Sequence, residues 1–202
     1  MKSGLCCIMI IPKSKHNVKE KIVMSKKVLM ISTSLRKNGN SDRLAKAFSQ
    51  GAENSGNTVE RIRLADHTIG FCRGCVAGQK TQKCVIRDDA NTIAEKMRTA
   101  DVIVFATPIY YYEMSGQMKT LLDRANPLFS SDYAFRDIYL LTTEADTEEG
   151  TDARAISGLE GWIECFPKAR LAGTVFAGGV NGIGEIEGHE ALNKAYAMGK
   201  SI

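Results

Sequence analysis

From Lys27 onward the chain alternates between short unbroken apolar runs and longer stretches whose apolar positions recur at helical spacing. Val28-Leu-Met-Ile-Ser32 and Val102-Ile-Val-Phe-Ala106 are runs of the first kind, the pattern of strands covered by helices on both faces. Thr58 to Leu64 alternates apolar and polar positions, as a strand with one drier face does. Ile138 to Thr142 and Leu171 to Phe176 read as two further strands. Between them, Leu44, Ala47, Phe48 and Ala52 share a helix face, and Gly56 follows as a stop. Ile93, Ala94 and Met97 mark a short helix behind Asp88-Asp89, residues suited to capping. Met118, Leu121, Leu122 and Ala125 form a stripe entered through Ser115 and closed by Asn126-Pro127. Ala155, Ile156, Leu159 and Ile163 predict a helix entered near Thr151-Asp152, and Ala191, Leu192, Ala195 and Met198 predict the last one.

Five such strands alternating with five helices predict an α/β fold, a doubly wound five-stranded parallel sheet covered on both faces. Right-handed crossovers then gather the strand-to-helix loops on one edge, where ligands bind at the point of strand-order reversal. Composition changes this picture little. The chain has 202 residues, 44% hydrophobic and 25% charged, with a formal net charge of +4. Lys and Arg are scattered, so no nucleic-acid partner is expected. No apolar run reaches the ~20 residues that span a bilayer, and no membrane partner is expected.

The start of the chain differs from the rest. Leu5 to Ile11 is apolar and the residues after Pro12 are lysine-rich, without the length or cleavage site of a signal peptide. Met24-Ser-Lys-Lys stands just ahead of the first strand. The expectation is an extension at 1–24, mobile or a mis-annotated start, ahead of one domain at 25–202. The six cysteines (Cys6, Cys7, Cys72, Cys75, Cys84 and Cys165) are unevenly placed. Without an export signal they read as reduced thiols of a cytoplasmic protein.

Two loops carry the candidate chemistry. Ser32-Thr-Ser-Leu-Arg-Lys-Asn-Gly-Asn-Ser41 is dense in hydroxyls and amides and leads into a helix. A helix start offers unpaired N–H groups and a positive dipole end, a site for a phosphate. Ser34 and Ser41 add hydroxyls, Asn40 an amide and Arg36 a planar fork for a dianion. The same residues would also serve as a plain polar turn. Neither the G-x-G-x-x-G pattern nor the Gly-Lys-Ser/Thr phosphate loop is present. In the second loop, Thr107 to Ser115, three tyrosines follow one another. Consecutive side chains diverge, so at least one should face the open edge, where a flat aromatic ligand would stack. An oligomer interface would use them equally well.

The segments "TSLRKNGNSDRLA" and "TPIYYYEMSGQMKTLLDR" together resemble the flavodoxin-like NAD(P)H-dependent FMN reductases and iron–sulfur flavoproteins, over Lys27 to Ile202. The resemblance implies strand order 2-1-3-4-5 and FMN as cofactor, with NAD(P)H as cosubstrate. It implies that Ser34, Arg36, Asn40 and Ser41 hold the FMN phosphate. Pro108, Ile109, Tyr110 and Tyr111 would pack against or bond the isoalloxazine, and Thr142, Thr143 and Glu144 would close its other side. Function follows as an oxidoreductase passing electrons to a small acceptor such as a flavin, quinone, nitroaromatic or metal ion. An electron-transfer flavoprotein or a flavin-based redox sensor is the alternative. No protein group is assigned as catalytic acid or base, because hydride chemistry belongs to the cofactor. A homodimer or homotetramer is expected.

The cysteines test that resemblance. The cluster-binding relatives carry C-x2-C-x2-C-x(4–7)-C; here Cys72, Cys75 and Cys84 match, and Gly78 stands at the third position. Three thiolates fall short of the usual four, so no iron–sulfur cluster and no other metal site is expected. Zinc with His67, or a redox-active Cys72–Cys75 pair, remain as other uses of the same residues.

Overall fold

β1 (Lys27–Ser32) opens the computed structural model, which describes residues 24–202. The expected extension, apart from Met24, lies outside the described residues. The chain continues as α1 (Asn40–Asn54), β2 (Thr58–Arg63), α2 (Ala77–Thr81), α3 (Ala90–Thr99), β3 (Val102–Tyr110), β4 (Glu113–Met114) and α4 (Gly116–Arg124). It ends with β5 (Asp137–Thr143), α5 (Ala153–Ile163), β6 (Arg170–Ala177) and α6 (Glu190–Lys200), with 3-10 turns at Leu64–Asp66 and Asn126–Ser130. The sheet order is β2-β1-β3-β5-β6, with β4 paired to β3 outside that path. The five long strands are parallel throughout, in the expected order 2-1-3-4-5 once β4 is set aside.

The unbroken apolar runs have a direct cause. Alternate residues of β1 and β3 face opposite layers: Leu29, Ile31, Ile103 and Phe105 enter one core with α3, α4 and α5. Val28, Met30, Val102 and Val104 enter the other, with α1 and α6. From Val28 to Ile31 and from Val102 to Ala106 no position is left for a polar residue.

α1 and α6 lie close enough to require glycine. A Cβ at Gly51 would stand 2.0 Å from the Tyr196 carbonyl oxygen, and one at Gly199 2.0 Å from that of Phe48. Backbone meets backbone there.

Three local expectations are corrected. The Thr107 to Ser115 loop is instead the end of β3, a tight turn at Tyr111-Tyr112 and then β4, because Ile109 pairs with Met114 and Tyr110 with Glu113. Pro108 is tolerated there because β1 pairing stops at Ala106 and β4 pairing begins only at Ile109, so at Pro108 the strand pairs with β5 alone. The cysteine segment contains a short helix, α2, that no periodicity announced. Ahead of α3, Asp88 Oδ1 accepts from the Ala90 N–H at 3.2 Å as expected, but the Asp89 carboxylate accepts from the Thr68 N–H at 2.7 Å instead of capping.

Candidate functional site

At the carboxyl edge of the sheet, four loops surround a cleft of about 630 Å³, a size that suits a small-molecule ligand. Ser34, Arg36, Gly39, Asn40 and Ser41 come from the first loop and the start of α1; Pro108 to Tyr111 come from the end of β3. Thr143 to Asp146 follow β5, and Val180 and Asn181 follow β6. Ten of the eleven residues singled out from sequence are therefore brought to one cavity; Thr142 is instead fully buried, its hydroxyl donating to the Asp152 carboxylate at 2.7 Å.

One end of the cleft suits an anion. Gly39 is the N-cap of α1 and makes no side-chain cap bond, so the first-turn N–H groups have neither an intrahelical nor a capping partner. A Cβ at Gly39 would lie 3.2 Å from both Ser34 Oγ and Arg36 Cβ, so glycine keeps this cradle open. Arg36 Nη1 donates to the Asn181 carbonyl at 2.7 Å, laying its charge over the mouth. Two more of the polar side chains bind loop to loop, and Ser34 braces its own loop. Asn40 Nδ2 donates to the Gly182 carbonyl at 2.9 Å, Ser41 Oγ and Thr143 Oγ1 lie 2.7 Å apart, and Ser34 Oγ accepts from the Arg36 N–H at 3.2 Å.

The other end is aromatic. Ile109 is buried in the wall, Tyr110 is half exposed, and Tyr111 is 96% exposed at the turn. Tyr111 and Tyr112 hold φ of 52° and 67°, a left-handed conformation that costs a bulky residue about 1–2 kcal/mol. The β3–β4 pairs hold this strained turn at the edge of the cleft, and Arg154 lies 5.6 Å from the Tyr112 ring. Beneath both ends, Thr33, Thr107 and Ser115 join in a buried hydroxyl cluster. Thr33 Oγ1 and Ser115 Oγ are 2.9 Å apart, and Thr107 Oγ1 donates to Ser115 Oγ at 3.2 Å. The same Ser115 Oγ accepts from the Met118 N–H, capping α4.

Gly39, Ala145, Asp146, Val180 and Asn181 line the cleft without having been singled out. The signal for the last two was the glycine-rich segment Gly178-Gly-Val-Asn-Gly-Ile-Gly184, whose Gly179 needs a φ of 73°.

The cysteine loop lies apart from this cleft. Cys72 and Cys75 are exposed free thiols and Cys84 is half-buried. A Cβ at Gly78 would stand 2.8 Å from Pro127 Cγ. The third ligand position is therefore packed shut, and the residues present do not fit a four-thiolate cluster. Among the described residues no group of three or more His, Cys, Asp or Glu is gathered as a metal would need. His67 Nδ1 lies 3.5 Å from the Asp89 carboxylate, and His189 Nδ1 accepts from the Ala191 N–H as the cap of α6.

A buried ion pair organises this loop. Arg124 Nη1 and Nη2 each donate to an Asp88 oxygen at 2.7 Å, and Nη1 also donates to the Gly70 carbonyl at 2.7 Å. These bonds hold the Asp88 carboxyl below its ordinary pKa, with smaller help from the Gly70 and Ala90 N–H groups, against an opposing effect of burial. Asp88 in turn raises the Arg124 pKa.

Comparison with known proteins completes the description. Residues 26–154 match the family model described as NADPH-dependent FMN reductase. An iron–sulfur flavoprotein of Archaeoglobus fulgidus is 35% identical over 101 residues, 50% of this chain and 46% of that protein. A Bacillus subtilis protein named as an NAD(P)H-dependent FMN-containing oxidoreductase is 29% identical over 183 residues, 84% of this chain and 94% of that one. The solved NAD(P)H:quinone oxidoreductase from Methanothermobacter marburgensis superposes with a TM-score of 0.70 at 18% identity, over 88% of this chain and 96% of that one. That last likeness is one of fold. The chain spans about half the length of the first curated relatives it matches, 46% and 53%.

Proposed function

Because the chain belongs to the NADPH-dependent FMN reductase family, we propose that it binds FMN in this cleft and moves electrons from NAD(P)H to a small acceptor. The observation that carries the reading is the pairing of an open helix-start cradle with an aromatic edge across one cavity. Arg36, Ser34, Asn40 and Ser41, with the free N–H groups behind Gly39, would hold the phosphate. Pro108, Ile109, Tyr110 and Tyr111 would hold the ring. Bound there, FMN would supply hydride chemistry that no side chain of this cleft offers.

The chain's own part is to bind, orient and leave access. The cradle neutralises a dianion with charge-assisted bonds. The buried Thr33–Ser115–Thr107 hydroxyls lock the two ligand-bearing loops to each other. The exposed Tyr111 leaves the mouth open to a second flat molecule. A free flavin, a quinone, a nitroaromatic or a metal ion would fit as acceptor class. The exposed Tyr112, Phe71 and Val76, on the tyrosine turn and the cysteine loop, favour a homodimer that covers them, and sedimentation of the purified protein reads that state directly.

The test is titration of apoprotein with FMN and with riboflavin, for wild type and Arg36→Ala. The variant should lose about ten- to a hundredfold in FMN affinity and bind riboflavin as wild type does. Steady NAD(P)H oxidation by the FMN-loaded wild type, accelerated by a quinone or free flavin, completes the case. Wild-type apoprotein that ignores FMN ends it.

A further inference from the structure

Four side-chain polar atoms are buried without a hydrogen-bond partner among the described residues, and only Glu144 Oε2 belongs to the cleft. Leaving such an oxygen without a donor costs on the order of 1–3 kcal/mol, and more when the group is charged. In native proteins such an orphan is completed by water, an ion or a ligand, or stores strain; at a cleft lining, a ligand is the partner within reach.

The backbone at Glu144 is fixed. Its N–H donates to the Ala177 carbonyl at 3.0 Å, and its carbonyl accepts from the Val180 N–H at 2.8 Å. Only the side chain is free to respond to a ligand. The carboxylate torsion is broad and two-fold, so either oxygen can be turned to the cleft.

Its place along the cleft narrows what the ligand atom would be. The preceding residue, Thr143, bonds Ser41 in the anion cradle and pairs in register with Pro108 below the tyrosines. Glu144, the next residue, lines the same cleft beside this link between the phosphate end and the ring end. What joins those two ends in FMN is a hydroxyl-bearing chain, a row of hydrogen-bond donors.

We infer that Glu144 accepts a hydrogen bond from a ribityl hydroxyl of FMN and so distinguishes the polyol linker from a plain alkyl one. The inference rests on the FMN reading above. A carboxylate here also repels the phosphate dianion, so the two effects have opposite signs. If the hydrogen bond dominates, removing Glu144 weakens FMN; if repulsion dominates, removal tightens it.

The test uses two ligands on apoprotein, FMN and an isoalloxazine carrying its phosphate on a five-carbon alkyl chain without hydroxyls. The readout is the ratio of their dissociation constants, followed by fluorescence. Glu144→Ala should bind FMN more weakly and shrink the wild-type ratio about tenfold. Glu144→Gln keeps an acceptor oxygen, so it should retain most of the ratio, and it guards against a folding defect in the alanine variant. An unchanged ratio in Glu144→Ala, or tighter FMN binding, overturns the assignment while leaving FMN binding intact. Wild type that binds neither ligand overturns the flavin reading and this inference together.

Discussion

Arg124 has no exposed side-chain surface, yet it carries a full charge whose only counter-ion among the described residues is Asp88. An isolated guanidinium in that setting is costly, and removing its partner from such a pair destabilises by about 3–5 kcal/mol. Asp88→Ala should lose stability on that scale in a denaturant titration at neutral pH. The pH dependence has a definite sign. The folded pKa of Asp88 is lowered, so its contribution is complete above the unfolded carboxylate value, about pH 4, and is lost as pH falls through the folded value. The gap between wild type and Asp88→Asn should therefore narrow as pH falls below about 4; a gap that widens toward acid refutes the pairing as drawn. None of this was legible in the sequence. An arginine at a helix end reads as a solvated cation, and its partner lies 36 residues away. Ser34, Arg36 and Ser41 were legible because polar residues cluster before a helix start, a local signal. Glu144 was expected, with Thr142 and Thr143, to close the other side of the ring on the resemblance alone, since nothing local distinguishes it from any loop carboxylate.

The elements were legible in proportion to how completely burial dictated them. β1 and β3 stood out because both faces are core, so no polar residue interrupts them. The continuation of β3 through Thr107-Pro-Ile-Tyr110 did not, because proline and a hydroxyl read as a strand end. What extends the strand is a tertiary pairing with β5 and the β4 hairpin. The α1–α6 contact was equally hidden, although its glycines are decisive. Gly51→Ala forces a methyl group to within 2.0 Å of a carbonyl oxygen that belongs to α6 backbone. The helices must separate, at a cost of about 1–3 kcal/mol or more. The same substitution at Gly161, on the open face of α5 with nothing within 4 Å, should instead stabilise by roughly 0.5–1 kcal/mol. Thermal melts of the two variants, read side by side, should move in opposite directions. Two stabilising shifts would mean that the glycines act through propensity alone.

The molecule as a whole places its cleft where separate parts of the chain meet and holds it with few bonds. The first loop touches the last through Arg36–Asn181 and Asn40–Gly182, and touches the β5 end through Ser41–Thr143. No helix of the described residues is long and apolar enough to cross a membrane. A ligand bridging its two ends adds ties among the same loops in the folded state only, and its binding free energy becomes folding free energy. At a concentration a hundred times its dissociation constant, FMN should stabilise by about 2.7 kcal/mol, a rise in Tm of roughly 5–10 °C for a domain of this size. Riboflavin at equal concentration should give a smaller rise, because it leaves the cradle behind Gly39 empty. Gly39→Ala narrows that cradle against Ser34 and Arg36 while its φ of −63° suits any residue. That variant should melt like wild type alone and lose most of the difference between FMN and riboflavin. An undiminished difference would place the phosphate elsewhere, and the order of binding parts along the cleft, phosphate end to tyrosine edge, would have to be drawn again.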